Sequence, residues 1–261
     1  MLRKLGDFYA YMLGWPSLAR LHKGLFYMSA RALGLYNYYS PAVSGEHMII
    51  RHCLAGVVAP VVFDIGANDG EWLAAVRCVN GLSQIHAFEP QAALADRIAA
   101  THPDVRVNNT AVGDQPGVLD LYDYADHPGS QHASLVTGVI DLVHGGKVRQ
   151  TKVPVVTLDD YCSEHGILHI EFVKIDVEGY EMHVLRGARR MLEEGRIDAI
   201  QFEFTHLNVL GRVFVDDFVK CLGPHFDLHR LLPHGLMLLS AENHWFNEQF
   251  VYQNLVALKR H

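Results

Sequence analysis

Apolar positions along this chain change period, and the change separates two regions. In the first 40 residues, Leu18, Leu21, Leu25, Met28 and Leu33 recur at roughly helical spacing. Nine aromatics crowd the same stretch: Phe8, Tyr9, Tyr11, Trp15, Phe26, Tyr27, Tyr36, Tyr38 and Tyr39. The pattern predicts two short helices, broken near Gly14-Trp15-Pro16 and ended by Ser40-Pro41. Arg20, Lys23 and Arg31 place positive charge among the apolar positions. Such helices fit a cap that packs on the main domain or on a second subunit, as in a homodimer. The sharper alternative is a face that grips a membrane or a lipid-linked substrate.

From about residue 57 the pattern changes to alternating strands and helices. A β-branched apolar run over 57–65 reads as the first strand, and the stretch after Gly70 opens a helix. A strand over 84–88, a helix over 91–100 and a strand over 105–109 follow. Runs 171–175 and 199–204 continue the order, with 180–194 helical between them. Strands alternating with helices imply a mostly parallel sheet covered on both faces. Runs 226–232 and 253–259 alternate with polar residues, which suggests an antiparallel edge. An insertion follows the third strand: 117–124 alternates like a hairpin strand, 126–134 is polar and turn-rich, and 147–156 is again β-like. Long segments over strand ends usually carry specificity. The chain therefore divides into a helical extension over 1–50 and an α/β domain over 51–261.

Composition narrows the function. At 261 residues the chain can build a core without disulfides or metal staples. A net charge of −7 argues against a nucleic-acid binder. The 17 histidines are scattered and form no HExxH, so no zinc site is expected. Cys53, Cys78, Cys162 and Cys221 lie far apart without a CxxC, which points to ordinary thiols in a reducing compartment. No signal-peptide pattern opens the chain, and no run of about 18 apolar residues occurs. A cytoplasmic protein is expected, membrane-peripheral if the aromatic helices grip a bilayer.

The chemistry begins at Asp64-Ile65-Gly66-Ala67-Asn68-Asp69-Gly70, where the first strand turns into its helix. Glycines let the backbone turn sharply and let a ligand approach the helix N-terminus. A dinucleotide fold places glycine where this chain has Asn68, so that a pyrophosphate can come close. Asp64 and Asp69 would repel a pyrophosphate, yet they suit a cationic sulfonium and amino group. Glu89 ends the second strand, nineteen residues after Gly70, where a carboxylate can accept both ribose hydroxyls. The ribose diol is common to NAD and S-adenosylmethionine (SAM); Asn68 and the acidic turn favour SAM.

These residues resemble the FkbM-type SAM-dependent methyltransferases. The match runs through 63–70, Ala87-Phe88-Glu89-Pro90, Asn109-Thr110-Ala111-Val112-Gly113-Asp114 and Val156-Thr157-Leu158-Asp159-Asp160. It continues with Lys174-Ile175-Asp176-Val177-Glu178-Gly179-Tyr180-Glu181, the most specific block, then Val184-Leu185-Arg186-Gly187-Ala188 and Glu203. The resemblance spans about 60–259 and leaves 1–50 outside. It implies a Rossmann-like class I methyltransferase fold, with a seven-stranded mostly parallel sheet and helices on both faces. It implies SAM as methyl donor and hydroxyl acceptors on sugars, glycolipids or polyketides. Asp64, Gly66, Ala67, Asn68 and Gly70 would lie at the methionine end, with Asp176 beside the reacting methyl. Glu89 and Pro90 would hold the ribose, and Thr110, Ala111 and Val112 would face the adenine.

Methyl transfer is an in-line displacement, so alignment matters most, and a weakly nucleophilic hydroxyl needs help losing its proton. Period-2 alternation puts Lys174 and Asp176 on one side of their strand, at the carboxyl end where ligands bind in open α/β sheets. Glu203 and His206 end the next strand by the same logic. His206 is the first candidate base, with Glu203 and His132 behind it. Lys174 also fits a plain ion pair with Asp176 or Glu203, and Glu178 fits the positive end of the helix that follows. Asp176 and Glu203 could hold Mg²⁺, but two carboxylates make a thin site and no metal is predicted.

The expected function is thus a SAM-dependent O-methyltransferase acting on a hydroxyl of a sugar in a glycan, glycolipid or glycosylated metabolite. The alternatives are a small non-sugar hydroxy or carboxy acceptor, a SAM-binding module without turnover, and, most distant, an NAD-linked oxidoreductase.

Overall fold

A computed structural model of the chain describes residues 2–37, 40–127, 129–143, 145–239 and 244–260. Tyr38 and Tyr39 of the aromatic stretch lie outside the described residues. The helical pattern at the N-terminus forms α1 (Leu2–Leu13) and α2 (Ala19–Ala32), joined through a 3₁₀ turn at Pro16–Leu18. The break falls where Gly14 and Pro16 predict it. α2 ends at Ala32, before Ser40, because the chain turns at Gly34 with φ 83°. Two shorter helices follow, α3 (Pro41–Ser44) and α4 (Glu46–Leu54). In α4, Ile49, Ile50 and Leu54 are fully buried against the sheet. The 1–50 extension therefore splits into an exposed helix pair and a second part built into the core.

The strands are β1 (Val61–Ile65), β2 (Gln84–Phe88), β3 (Arg106–Asn108), β4 (Ala111–Val112), β5 (Gly117–Tyr124), β6 (Val148–Val156), β7 (Ile170–Ile175), β8 (Ile197–Phe204), β9 (Phe226–Leu232), β10 (Gly235–Leu238) and β11 (Gln253–Lys259). The main sheet runs β10-β9-β11-β8-β7-β1-β2-β3. β8, β7, β1, β2 and β3 are mutually parallel, and β11 joins β8 antiparallel. Alternation along the parallel strands feeds two cores. Val62 and Phe172 face the layer of α4, α5 (Glu71–Val79) and α6 (Ala92–Thr101); Phe63 and Val173 face the opposite layer. That second layer contains α7 (Leu158–Glu164), α8 (Glu181–Arg186), α9 (Arg189–Glu193) and, after α10 (Asn208–Gly211), α11 (Val215–Leu222). Burial on both faces explains why these strands read as near-continuous apolar runs.

The differences from the sequence expectation have local causes. β1 begins at Val61, not 57, because Ala59 takes φ 47° and Pro60 has no N–H for a ladder. The helix expected over 180–194 is split into α8 and α9. A Cβ at Gly187 would overlap the Gly113 carbonyl, so the chain breaks its helix where it crosses that loop. The sheet has eight strands where seven were expected. The added β10 is the hairpin partner of β9, paired antiparallel with Gly235 opposite Leu232. β11 lies inside the sheet, between β8 and β9, so β10 is the antiparallel edge. β4, β5 and β6 leave the main sheet and make a second, three-stranded sheet in the order β4-β6-β5.

Candidate active site

The turn after β1 is held by a crossing of two strand ends. The N–H groups of Gly66 and Ala67 both donate to the Phe88 carbonyl, at 2.9 and 3.1 Å, and Asp176 N–H donates to the Ile65 carbonyl at 2.9 Å. Gly66 has φ 85°, and a Cβ there would overlap the Asp176 carbonyl oxygen. Glycine is required for the approach of β1 and β7. Asn68 also takes a positive φ, 50°, which aims its N–H at Glu89 Oε2, 2.9 Å away. Glu89 Oε1 accepts from Gln91 N–H at 2.8 Å. Burial pushes the Glu89 carboxyl up to about 7, against the pull of those two N–H groups. Gly66, Asn68, Glu89, Pro90, Thr110, Ala111, Val112 and Asp176 line one narrow slot, to which the insertion adds Leu121 and Leu135. The slot combines apolar walls, among them Ile65, Phe88 and Val112, with the Glu89 carboxylate. Among the described residues no lysine or arginine lines the slot, so its carboxylates fit a sulfonium and an ammonium better than a pyrophosphate.

Lys174 is the fixed cation behind this slot. Its ammonium lies 2.8 Å from Asp176 Oδ2 and 3.8 Å from Asp64 Oδ1, and 6.0 Å from the centre of the Trp72 ring. Burial alone would lower its pKa, but Asp176, Asp64 and Glu46 outweigh burial and hold it above the ordinary lysine value. It therefore stays protonated and acts as a counter-ion: the ion pair with Asp176 that the sequence allowed is present, and the second carboxylate is Asp64, not Glu203. Asp64 is fully buried and neither oxygen has a hydrogen-bond partner among the described residues. Burial raises it to about 6, with Lys174 opposing. The expected contact of Asp64 with the methionine end is corrected as well: it lines neither the slot nor the space beyond, and faces Lys174. Gly70, too, shapes the turn without lining it, with a Cβ there meeting His102.

The slot opens into a cleft of about 820 Å³. Gly66, Asn68, Gln131, Asp176 and Glu178 line both spaces. Ala67, Lys174, Glu203, His206 and His132 line the cleft. His206 is exposed, at the rim, just past β8. His132 belongs to the insertion and is half-exposed; its Nδ1 lies 3.6 Å from Glu178 Oε1. The pair is mutual. A hydrogen bond to Glu178 raises the His132 pKa against partial burial, while burial raises Glu178 against His132. Glu178 has φ 53°, a conformation rarely taken by glutamate, and its carbonyl accepts from Ser134 Oγ at 2.7 Å. Gln91 Nε2 donates to the Ser130 carbonyl at 3.2 Å, so the insertion is tied down on both sides of the slot.

Glu203 is held far from ionising, first by burial and then by Asp176 and Glu178. Tyr252 bonds to it and is itself raised by burial and that carboxylate. Among the described residues no three His, Cys, Asp or Glu side chains converge as a metal site would need.

Several cleft residues were not anticipated: Tyr36, Glu46, His47, Trp72, Phe250 and Tyr252. Tyr252 had a readable signal. β11 runs antiparallel to β8, with Gln253 opposite Phe204, so its start lies at the carboxyl end of the parallel strands. Glu46 opens α4 and is anchored by Gln201 Nε2 at 3.1 Å and Ser44 Oγ at 3.0 Å. A lone acid in a short apolar helix gave no such signal.

The Methyltransferase FkbM domain matches residues 64–229. The chain is 26% identical over 196 residues to the 2-O-methyltransferase NoeI of Sinorhizobium fredii (strain NBRC 101917 / NGR234), covering 68% of this chain and 76% of that protein. It is 30% identical over 168 residues to the 31-O-demethyl-FK506 methyltransferase FkbM of Streptomyces tacrolimicus, covering 54% of this chain and 64% of that one. Among solved structures, an O-methyltransferase from Bacillus cereus in complex with SAH aligns at 13% identity and a TM-score of 0.42, over 99% of this chain and 100% of that chain.

Proposed function

This chain belongs to the FkbM methyltransferase family and is a SAM-dependent methyltransferase; we propose that its acceptor is a hydroxyl of a sugar, in a glycan, glycolipid or glycosylated metabolite. One observation carries this reading: the donor slot and the acceptor cleft meet at Asn68, Asp176 and Glu178. A donor with its adenosine against Glu89 and Val112 would present its other end to whatever occupies the cleft. The cleft walls combine carboxylates (Glu46, Asp176, Glu178) with aromatic rings (Tyr36, Trp72, Phe250). Carboxylates accept from hydroxyls and rings cover the apolar faces of a sugar, whereas an anionic acceptor would be repelled. Both named relatives are, by their names, methyltransferases, one a 2-O- and the other a 31-O-demethyl-FK506 enzyme.

SAM supplies an electrophilic methyl group on a sulfonium, with a neutral thioether as leaving group. The residues of this chain supply position and proton removal. Asn68, Glu89 and Asp176 are placed to hold the donor, and the ion pair with Lys174 keeps Asp176 in one orientation. Neutral His132, oriented by Glu178, is the best-placed group to take the hydroxyl proton, because it belongs to the insertion that covers the junction. His206, at the rim, is better placed to bind the acceptor.

The test is release of S-adenosylhomocysteine with a panel of neutral oligosaccharides beside hydroxy acids and non-sugar alcohols, with SAM binding followed separately by calorimetry. Turnover on saccharides alone is expected. Turnover on hydroxy acids but not saccharides would overturn the sugar assignment, and SAM binding without any turnover on a broad hydroxyl panel would argue for a binding module.

A further inference from the structure

The most unusual surface of the molecule is remote from its chemistry. Large apolar side chains on α1 and α2 stand in solvent: Phe8 is 63% exposed, Trp15 64% and Met28 62%. They are ordered in stripes. Leu5, Phe8 and Met12 recur at i, i+3, i+7 along α1, and Leu21, Leu25 and Met28 at i, i+4, i+7 along α2. Such stripes normally face a core. Here Ala30 is the one residue of α2 that is buried, so among the described residues nothing covers the stripes.

The pair is nevertheless a defined unit. His22 Nε2–H donates to the Leu13 carbonyl at 2.9 Å, which leaves Nδ1 to accept from Tyr9 Oη–H at 3.0 Å. One tautomer satisfies both bonds and pins α2 against the end of α1. Trp15 sits at the bend, its indole N–H donating to the Met12 carbonyl at 3.2 Å. At its other end the unit is anchored beside the cleft. Gly34 packs against the Leu231 carbonyl and Tyr36 N–H donates to the Tyr252 carbonyl at 2.7 Å.

Charge decides what covers the stripes. Residues 1–32 contain Arg3, Lys4, Arg20, Lys23 and Arg31 against Asp7 alone, a net +4. The whole chain carries −7, which leaves −11 on the remaining residues. We infer that α1 and α2 form a docking surface for an anionic lipid bilayer, with the apolar stripes and Trp15 in the headgroup region and the basic side chains on its phosphates. Interfacial helices combine these features: an apolar face rich in aromatics, and lysine and arginine outside it. The acidic remainder would be held off by the same bilayer, so the helix pair alone could approach it. Because Tyr36 leads from α2 into the cleft, docking would also bring the cleft mouth near the membrane. This inference is independent of the acceptor's identity.

Co-sedimentation of the full chain with vesicles tests it. Binding to phosphatidylcholine vesicles that contain phosphatidylglycerol is expected, with loss in high salt and little binding to phosphatidylcholine alone. The variants Phe8→Ser/Trp15→Ser and Arg20→Ala/Lys23→Ala should each weaken binding by about tenfold or more. Both should bind SAM as the parent does, which shows that the domain is folded. Failure of the parent to bind the anionic vesicles, or undiminished binding by both variants, would overturn the inference. So would a stable dimer in sedimentation equilibrium that Phe8→Ser/Trp15→Ser dissolves without any vesicle binding by the parent, since a second copy would then cover the stripes.

Discussion

The Asn68 N–H and the Glu89 carboxylate are joined at 2.9 Å, which ties the turn after β1 to the end of β2. With Gln91 N–H on its other oxygen, Glu89 is already oriented before any ligand arrives. A carboxylate that accepts two backbone N–H groups and two ribose hydroxyls must be ionised. Glu89→Gln should therefore weaken SAM binding by about tenfold or more, roughly 1.4 kcal/mol or more, in calorimetry. Because burial brings this carboxyl up to about 7, affinity in the parent should rise as pH increases through that value. The Gln variant should lose that pH dependence. Equal affinity in both proteins would remove Glu89 from the donor site.

The geometry between His132 and Glu178 leads to a second expectation. If His132 takes the hydroxyl proton, His132→Gln should lower kcat by about 10²-fold or more while leaving SAM affinity unchanged. The Glu178 hydrogen bond raises the His132 pKa, so the neutral base forms only above the ordinary histidine range. kcat should then rise with pH through a pKa higher than 6.5, and Glu178→Gln should move that limb down. A larger kcat loss in His206→Ala than in His132→Gln would return the base role to the rim.

How much of this was readable in the sequence depended on whether a residue acts through its own strand or through a neighbour. Gly66, Asn68 and Glu89 sit at strand ends whose order is set by alternating elements, and their positions follow from topology. Asp64 does not follow so simply. Period-2 alternation places it on β1, but its partner Lys174 comes from β7, and only the register of Asp64 opposite Lys174 shows that it faces a counter-ion. The insertion was visible as a break in the pattern, yet the tie from Ser134 to the Glu178 carbonyl, which brings His132 to the cleft, is a long-range contact with no local signature. Tyr36 and Glu46 lie outside the FkbM match at 64–229 and reach the cleft because α4 is packed into the core. β10 escaped notice because a four-residue run beginning with glycine carries no period of its own.

Lys174 and Asp64 should behave as a unit in stability measurements. Removing the cation in Lys174→Met leaves the fully buried Asp64 without its counter-charge, a change that costs about 3–5 kcal/mol in comparable buried pairs. Asp64→Asn/Lys174→Met should recover part of that loss in chemical denaturation, because the fully buried charge is gone and the remaining partner, Asp176, is partly open to solvent. Additive losses in the double variant would show that the two groups do not compensate each other.

Glu181 provides the last test, through the pH dependence of folding. It is buried at the start of α8, where Oε1 accepts from Gly179 N–H at 3.0 Å and Val177 N–H at 3.3 Å, and Oε2 has no partner among the described residues. Burial raises its pKa from 4.5 to about 7. A raised folded pKa means that the native state holds a proton the unfolded chain releases. The contribution to stability is therefore full below 4.5 and is lost as pH rises through about 7. Asp64 and Glu89, also raised by burial, act in the same direction, so the parent should lose stability across this window. Glu181→Gln keeps an acceptor for the two N–H groups and removes one of these titrations. Its stability, measured by denaturant unfolding at each pH, should fall less steeply than the parent's between pH 4.5 and 7. Equal slopes would mean that Glu181 ionises in the native state as freely as in the unfolded chain, and that the loop carrying Glu178 is held without a neutral acid beneath it.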